Sequence, residues 1–287
     1  MITSSSRTIA LPRRRIEDLV GQEQFRLDGK VALVTGGGRG LGRGMAHALA
    51  AAGARVMIAA RTQAQLDSSV QEIRDAGGTA SAFAGDMTDS AQVDAMVEAC
   101  VREYGGIDAA FANAGIGGGT DAEFWEYPDW AFEEVLAINL KSVFYTCRAV
   151  SKVMVESGKG GVLVPTSSAG GYRASKRWAY ATAKGGVLSL TKTMAGLLAP
   201  HDIRVNCISP GMVAQRDAED DREVAERAQR GSFVPANRIG EWWELGPLAV
   251  YLASDASSYV TGQDFVIDGG MLNAGIAPAA YRPHHEI

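Results

Sequence analysis

Cysteine is scarce in this chain. Its 287 residues include three cysteines, Cys100, Cys147 and Cys207, which lie far apart. A scattered, odd-numbered set gives no disulfide framework and contains neither a Cys-x-x-Cys pair nor a zinc-binding spacing. The four histidines do not cluster in the body of the chain either. We therefore expect no metal site and a reducing, cytoplasmic setting.

Excess positive charge and long apolar runs are also missing. The net charge is −5, so no bulk basic field attracts nucleic acid or an anionic membrane surface. No uninterrupted apolar run is long enough to cross a bilayer. With 46% apolar and 21% charged residues, the composition is typical of a globular protein with a large core. Neither nucleic acid nor a membrane is an expected partner.

Residues 1–26 are expected to form an arm before the main domain. The first 15 residues include four arginines, three of them at 13–15, and no acidic residue. A solvated arm has this composition, but a transit peptide has it too, which leaves import into an organelle as the alternative. We expect one domain at 27–271 and a C-terminal tail at 272–287.

From Lys30 onward, short apolar strands alternate with helix-like stretches. The expected strands are 31–35, 56–60, 80–84, 107–112, 161–166, 203–208 and 265–267, and the expected helices are 43–52, 63–75, 90–104, about 130–156 and the stretch around Tyr180. Continuous apolar strands separated by helices favour a parallel sheet covered on both faces. Right-handed crossovers then predict an α/β fold, a single doubly wound, Rossmann-like domain.

Residues 212–240 break this alternation. They lack strand character and contain a run of acidic and basic residues at 219–223. The segment is expected to be either a solvated helix or a mobile lid over a binding site.

A glycine-rich loop, Thr35-Gly36-Gly37-Gly38-Arg39-Gly40-Leu41-Gly42, joins the first expected strand to the first helix. Glycines permit positive φ and close backbone approach, and the helix N-terminus beyond them offers free N–H groups to a pyrophosphate. Because the loop lies between a strand and a helix, it predicts a dinucleotide-binding site.

Charge indicates which dinucleotide is bound. An NAD-preferring site usually has an acidic residue at the end of the second strand. Here Ala60 occupies that place, followed by Arg61 and Thr62, and no acidic residue occurs before Asp67. An arginine can hold a 2′-phosphate with charge-assisted hydrogen bonds, and Arg39 could add a second cation. We therefore predict NADP(H), with NAD(H) as the less favoured alternative.

Tyr180 and Lys184 lie four residues apart in a helix-like stretch. This spacing puts both side chains on one helix face. A nearby cation stabilises the phenolate, so we expect Lys184 to lower the pKa of Tyr180 toward the range of general acid–base catalysis. With eight tyrosines in the chain, the pair alone could also be an ordinary amphipathic face.

Together these features resemble the classical short-chain dehydrogenase/reductase family over about residues 27–270. The motifs that carry the resemblance are the glycine loop with Gly36, Gly40 and Gly42, Asp86, Asn113-Ala114-Gly115, Asn139, the serine segment 167–171, Tyr180-x-x-x-Lys184, Pro210-Gly211 and Asp268-Gly269-Gly270. The resemblance implies hydride transfer between a nicotinamide cofactor and a small-molecule carbonyl or alcohol. It also implies a homotetramer or homodimer, with the helices near 130–156 and 178–199 as interfaces.

The same resemblance implies the site residues. The implied catalytic residues are Asn139, Ser168, Tyr180 and Lys184, and the implied cofactor-binding residues are Gly36, Arg39, Gly40, Leu41, Gly42, Arg61, Thr62, Asp86, Met87, Asn113, Ala114, Gly115, Tyr180, Lys184, Pro210, Gly211 and Val213. In this scheme Ser168 polarises the substrate oxygen, Tyr180 transfers its proton, and Asn139 holds a water that connects Lys184 to solvent.

Two positions depart from the family pattern. Ser168 fits the expected Ser-x-x-Gly pattern but lies twelve residues before Tyr180, one fewer than expected, whereas Ser167 keeps the commoner spacing. We prefer Ser168 and keep Ser167 as the alternative. Gln215 stands where many relatives have a threonine that contacts the nicotinamide carboxamide.

Several alternatives stay open at this point. A catalytically silent NADP-binding sensor or scaffold would need the glycine loop alone, and a sugar-nucleotide epimerase or dehydratase would need a larger C-terminal region. Four aromatic residues, Phe124, Trp125, Tyr127 and Trp130, are expected to line a substrate pocket, pack in the core or form an interface. Trp242-Trp243 is expected to pack against the lid or another subunit.

Overall fold

The computed structural model describes residues 21–173 and 176–273. Most of the arm expected at 1–26 and most of the tail expected at 272–287 therefore lie outside the described residues.

In the part of the chain that the structure describes, eight strands run parallel to their neighbours. Their bounds are β1 Val31–Thr35, β2 Arg55–Ala60, β3 Thr79–Ala84, β4 Ala109–Ala112, β5 Gly161–Pro165, β6 Ile203–Val205, β7 Cys207–Pro210 and β8 Asp264–Ile267. The first six form a sheet in the order β3-β2-β1-β4-β5-β6, and β7 pairs with β8. A bridge between Thr166 and Ile208 joins β7 to the end of β5. The strand order reverses between β1 and β4, which is where open parallel sheets bind their ligands.

Helices cover both faces of the sheet. They are α1 Gly40–Ala51, α2 Gln63–Asp75, α3 Ser90–Tyr104, α4 Asp129–Leu136, α5 Ser142–Ser157, α6 Trp178–Leu198, α7 Asp221–Gly231 and α8 Gly246–Ala253. Short 3-10 turns lie at Gln22–Phe25, Phe124–Glu126, Ala169–Gly171, Ala199–His201, Asp255–Ser257 and Met271–Asn273. Successive side chains of β1 point to opposite faces of the sheet. Leu33 packs in the core with α3, α5 and α6, and Val34 packs in the core with α1, α2 and α8. The predicted doubly wound α/β fold is confirmed.

The strand predicted at 203–208 is wrong in one respect, because it is two strands divided at Asn206. This residue is fully buried, its Nδ2 donates to the Val260 carbonyl over 2.7 Å, and its Oδ1 accepts from the Gln263 amide over 3.1 Å. The side chain thus ties the chain to the loop before β8. As a result β6 pairs with β5 and β7 pairs with β8.

The helix predicted at about 130–156 is also interrupted. A π-helical turn at Ala137–Lys141 separates α4 from α5. Single π turns inside helices occur frequently at functional sites, and this one contains Asn139.

The segment 212–240 contains α7 and is closed at its base by a bridge between Val213 and Gly240. Within residues 21–173 and 176–273, no helix combines the length and apolar character needed to cross a membrane.

Candidate active site

A cavity of about 1030 Å³ lies at the carboxyl ends of the parallel strands. The loops that follow β1, β2, β3, β4, β5 and β7 all contribute to its wall, together with α6 and α7. The predicted site residues that line it are Gly36, Arg39, Leu41, Arg61, Thr62, Asp86, Met87, Asn113, Ala114, Gly115, Asn139, Ser168, Tyr180, Lys184, Pro210, Gly211 and Val213. The fold therefore brings residues from eight separate segments to one place.

Gly40 and Gly42 shape the loop rather than line the cavity. Gly36 and Gly40 have φ values of 69° and 56°, a conformation that favours glycine. A Cβ on Gly42 would collide with the Gly36 carbonyl oxygen, and a Cβ on Gly40 would collide with the side-chain oxygen of Gln215. Helix α1 begins here, and its N-cap residue, Arg39, makes no side-chain cap. Free N–H groups beside a backbone without side chains fit the pyrophosphate of a dinucleotide.

Arg39 and Arg61 line the cavity with exposed side chains. Among the described residues, neither makes a hydrogen bond or an ion pair. Ala60 ends β2, so no carboxylate competes with these cations there. Asp86, at the end of the next strand, accepts hydrogen bonds from the Thr88 amide (2.9 Å) and hydroxyl (2.8 Å). These contacts fix the direction of its carboxylate.

Asn113 holds the ends of β1 and β4 together. Its Nδ2 donates to the Thr35 carbonyl over 3.1 Å, and the Thr35 hydroxyl accepts from the Asn113 and Ala114 amides at 3.0 and 3.1 Å. The segment that begins at Asn113 is thereby fixed beside the glycine loop.

The two adjacent serines occupy different environments. The Ser168 hydroxyl accepts from the Gly170 amide over 3.0 Å, lies beside the Tyr180 ring and lowers the pKa of its phenol. The Ser167 hydroxyl is buried and donates to the Lys184 carbonyl over 2.8 Å, which ties the end of β5 to α6. Ser168 is therefore the serine that lies beside the phenol.

Lys184 is buried under Tyr180. Its ammonium donates to the Thr166 carbonyl over 2.8 Å and lies 5.6 Å from the centre of the tyrosine ring. Burial lowers the pKa of Lys184 to about 8, because a charged ammonium loses its hydration there.

The electrostatics of Tyr180 differ from the expectation. Burial raises the pKa of its phenol, and the groups that act in the opposite direction are the Ser168 hydroxyl and the Arg177 guanidinium. Lys184 was expected to lower this pKa, but its own charge is destabilised by burial, and its ammonium is bonded to a backbone carbonyl. The phenol is neutral in this state.

Asn139 lies in the π-helical turn and is fully buried. Its Nδ2 donates to the Val135 carbonyl over 3.1 Å, and its Oδ1 accepts from the Ile116 amide over 3.2 Å. Gly115 lies between it and Lys184: a Cβ there would stand 2.9 Å from the Asn139 oxygen and 3.5 Å from the Lys184 nitrogen. Glycine at 115 therefore keeps the space between the two side chains open.

The cavity wall also contains residues that sequence reasoning missed. One face of α7 lines the cavity with charged side chains, namely Glu223, Glu226, Arg227 and Arg230. Glu223 pairs with Arg216 at 2.9 Å and with Arg227 at 3.1 Å. The spacing of three and four residues was the available signal, since it places these charges on one helix face. Arg177 is another missed residue, and its place one turn before Tyr180 was the available signal.

The four aromatic residues expected near the site do not line the cavity. Phe124, Trp125 and Trp130 are 68%, 79% and 64% exposed, and the ring of Tyr127 lies 4.3 Å from that of Trp178. Their interpretation as pocket walls is wrong for this cavity, because the 3-10 turn that holds Phe124 and Trp125 packs against the start of α6 instead.

Trp242 links the base of segment 212–240 to α1. Its indole nitrogen donates to Asp217 over 2.9 Å, and the Arg43 guanidinium lies 4.6 Å from its ring. Trp243 is 54% exposed. The expected contact with the lid segment is therefore present for the first of the two tryptophans.

No group of three or more His, Cys, Asp or Glu side chains within the described ranges is placed to hold a metal ion.

Comparison with known proteins agrees with this geometry. A sequence model of the family described as Enoyl-(Acyl carrier protein) reductase matches residues 36–272. The 3-oxoacyl-[acyl-carrier-protein] reductase FabG of Thermotoga maritima is 36% identical over 248 residues, which cover 86% of this chain and 100% of that protein. The crystal structure of a short-chain type dehydrogenase/reductase from Mycobacterium marinum is 40% identical, with a TM-score of 0.80 and coverage of 87% of this chain and 98% of that one. This chain belongs to the short-chain dehydrogenase/reductase family.

A second crystal structure of this family shows a ligand. It is a putative 2-deoxy-D-gluconate 3-dehydrogenase from Agrobacterium tumefaciens with bound NADP, 36% identical, with a TM-score of 0.77 and coverage of 87% of this chain and 99% of that one. As a short-chain dehydrogenase/reductase, the chain is an oxidoreductase that acts on CH–OH or C=O groups of small molecules with a nicotinamide cofactor.

Proposed function

We propose that this short-chain dehydrogenase/reductase uses NADP(H) and interconverts the carbonyl and secondary alcohol of a small molecule, with Tyr180 as general acid and base. One observation carries the proposal: the Ser168 hydroxyl lies beside the Tyr180 phenol in the wall of the cavity that the glycine loop also forms. A silent nucleotide-binding protein has no need of this arrangement.

The roles of the side chains follow from their places. A substrate oxygen between Ser168 and Tyr180 would accept a hydrogen bond from each hydroxyl, which polarises a carbonyl. In reduction Tyr180 gives its proton to that oxygen, and in oxidation it takes the proton back. The bound nicotinamide would supply or accept the hydride.

Lys184 and Asn139 would support proton transfer, and Lys184 would also bind the cofactor. The Lys184 ammonium would bind the hydroxyls of the nicotinamide ribose and restore the proton of Tyr180. Asn139 would position a water in the space that Gly115 leaves open beside Lys184. With its pKa near 8, Lys184 can exchange a proton close to neutral pH.

The choice of NADP(H) over NAD(H) rests on Arg39 and Arg61. Both are exposed cations at the cavity without a partner among the described residues, and Ala60 replaces the carboxylate that would repel a 2′-phosphate. The related structure with bound NADP supports this choice. A kcat/KM with NADH equal to or above that with NADPH would contradict it.

Tyr180→Phe tests the proposed reaction. The variant should bind NADPH with nearly normal affinity in a fluorescence titration and lose at least about a thousandfold in kcat across a panel of ketones and aldehydes. Tyr251→Phe is the matched control, because Tyr251 lies on α8 and does not line the cavity. Near-normal kcat for Tyr180→Phe would refute the assignment, and NADPH binding without any turnover by the unmodified protein would favour a sensor or scaffold.

We also propose a homotetramer or homodimer. Large apolar side chains are exposed on α4, α5 and α6: Trp130 by 64%, Phe144 by 43% and Leu197 by 69%. Burying them between subunits would remove this surface from water. Light scattering that finds a monomer at micromolar concentration would contradict the proposal.

A cytoplasmic location is proposed from the thiols. Cys100, Cys147 and Cys207 are all free and buried, and free thiols are typical of a reducing compartment. Fractionation of cells that express a tagged chain tests this location against import into an organelle.

A further inference from the structure

Arg177 occupies a position in α6 that the reaction itself does not use. It is the N-cap residue of the helix, three residues before Tyr180 and seven before Lys184, and all three side chains line the cavity, on the face of the helix turned toward it. Burial increases along this face: Arg177 is exposed, Tyr180 is partly buried, and Lys184 is 3% exposed. The helix thus carries a guanidinium at the open side of the cavity, a phenol below it and an ammonium at the bottom.

The guanidinium faces the cavity across the loop that follows β4. Arg177 lines the cavity with Tyr180, and its Nη1 lies 3.2 Å from the point where a Cβ on Gly117 would stand. Its positive charge also acts on Tyr180, since it lowers the pKa of that phenol against the effect of burial. A molecule whose reacting oxygen meets Tyr180 therefore has Arg177 within reach of its next few atoms.

The part of the cavity wall that α7 forms is charged as well. Glu223, Glu226, Arg227 and Arg230 of α7 turn toward the cavity. A long apolar chain placed against this helix face would strip water from ionised groups without replacing their hydrogen bonds, which is costly. The cavity therefore favours short, polar, charged molecules over acyl chains.

We propose that Arg177 binds a carboxylate of the substrate, so that the physiological substrate is a short oxo acid or the corresponding hydroxy acid. The planar guanidinium suits a carboxylate, which it can bind through two parallel hydrogen bonds. The three residues from Arg177 to Tyr180 correspond to a rise of about 4.5 Å along a helix. The carboxylate carbon and the reacting carbonyl carbon of the substrate should therefore be separated by two or three carbon–carbon bonds. This inference rests on the proposed oxidoreductase function and names its substrate class.

The test compares acids with neutral esters of identical shape near the carbonyl. The probes are 2-, 3-, 4- and 5-oxohexanoate and their methyl esters, reduced with saturating NADPH, and the readout is the acid-to-ester ratio of kcat/KM. The unmodified protein should prefer the acids, most strongly for 3- and 4-oxohexanoate. Arg177→Gln should lower the ratio about 10- to 100-fold. Arg177→Lys keeps the charge but cannot form the two parallel hydrogen bonds, so its ratio should lie between those of the unmodified protein and Arg177→Gln.

Lys176→Gln is the matched control. It removes one positive charge from the neighbouring residue, which is exposed and does not line the cavity, and the ratio should stay unchanged. An equal loss for acids and esters in Arg177→Gln would overturn the proposal, because Arg177 would then act through Tyr180 alone. A preference of the unmodified protein for esters would also overturn it while leaving the oxidoreductase function intact. Failure to reduce acids and esters alike would count against the proposed function, and with it against the carboxylate site.

Discussion

Because Lys184 is buried, we predict that its charge lowers the free energy of unfolding. Its pKa is lowered from 10.5 to about 8, and the residue is 3% exposed, so solvent screening is small. At about 1.4 kcal/mol for each tenfold change in proton affinity, keeping this proton in the folded state at pH 7 costs about 3 kcal/mol. Lys184→Met removes the charge and keeps the apolar stem. The hydrogen bond to Thr166 is also lost, which offsets about 1 to 2 kcal/mol. Without cofactor, the variant should therefore be more stable than the unmodified protein by about 1 to 2 kcal/mol at pH 7.

The pH dependence of this difference is the sharper test. The unfolded chain has the ordinary lysine pKa and keeps its proton up to about pH 10.5. The folded-state pKa lies lower, so the cost is complete below pH 8 and disappears as the pH rises from 8 to 10.5. The advantage of Lys184→Met should therefore shrink by about 2 kcal/mol between pH 7 and pH 10.

Reversible urea unfolding, followed by tryptophan fluorescence at several pH values, measures the difference directly. Lys192→Met is the control, because Lys192 is exposed on the same helix. A stability difference that does not change with pH, or a Lys184→Met variant that is less stable at every pH, would refute the reasoning.

Three further predictions concern the cavity. Arg61→Ser should lower kcat/KM with NADPH by about 10- to 100-fold and leave kcat/KM with NADH nearly unchanged in a steady-state comparison; an equal loss for both would contradict a 2′-phosphate contact. Gly42→Ala should weaken NADPH binding more than tenfold and lower Tm, because the new methyl group collides with the Gly36 carbonyl; unchanged binding in a fluorescence titration would show that the loop can shift. Ser168→Ala should reduce kcat about a hundredfold at unchanged stability. Ser167→Ala should instead lower the free energy of unfolding by about 1 to 3 kcal/mol, because the hydrogen bond to the Lys184 carbonyl is lost. The reverse pattern would show that the two serines have each other's roles.

Much of the fold follows from local sequence patterns. The helices predicted at 63–75 and 90–104 have these bounds in the structure, and the strand at 31–35 does as well. Each is a strongly periodic or continuously apolar segment that ends at a glycine, a cap or a charged turn. The division of 203–208 was not predictable in the same way, because it depends on hydrogen bonds from Asn206 to residues 260 and 263, more than fifty positions away.

The candidate site, like the fold, could be predicted from the sequence only where local patterns determine it. Motifs separated by short, fixed spacings, such as the glycine loop and the pair Tyr180–Lys184, could be identified from the sequence. The choice between Ser167 and Ser168 could not, because both occur in one turn and their directions depend on how β5 packs on α6. The pKa of Tyr180 was beyond sequence reasoning as well, since burial opposes the effect of nearby cations.

Because burial increases from Arg177 to Lys184, substitutions that change substrate specificity can be made at positions other than those of the proton-transferring groups. The distances between Arg177, Tyr180 and Lys184 are set by one continuous helix rather than by the loops around the cavity. Changes in the loop after β4 or in α7 can therefore alter the size of the cavity without moving the phenol relative to the ammonium. Acceptance of new substrates can be engineered at residue 177 and in those walls, while the proton-transferring groups keep their geometry.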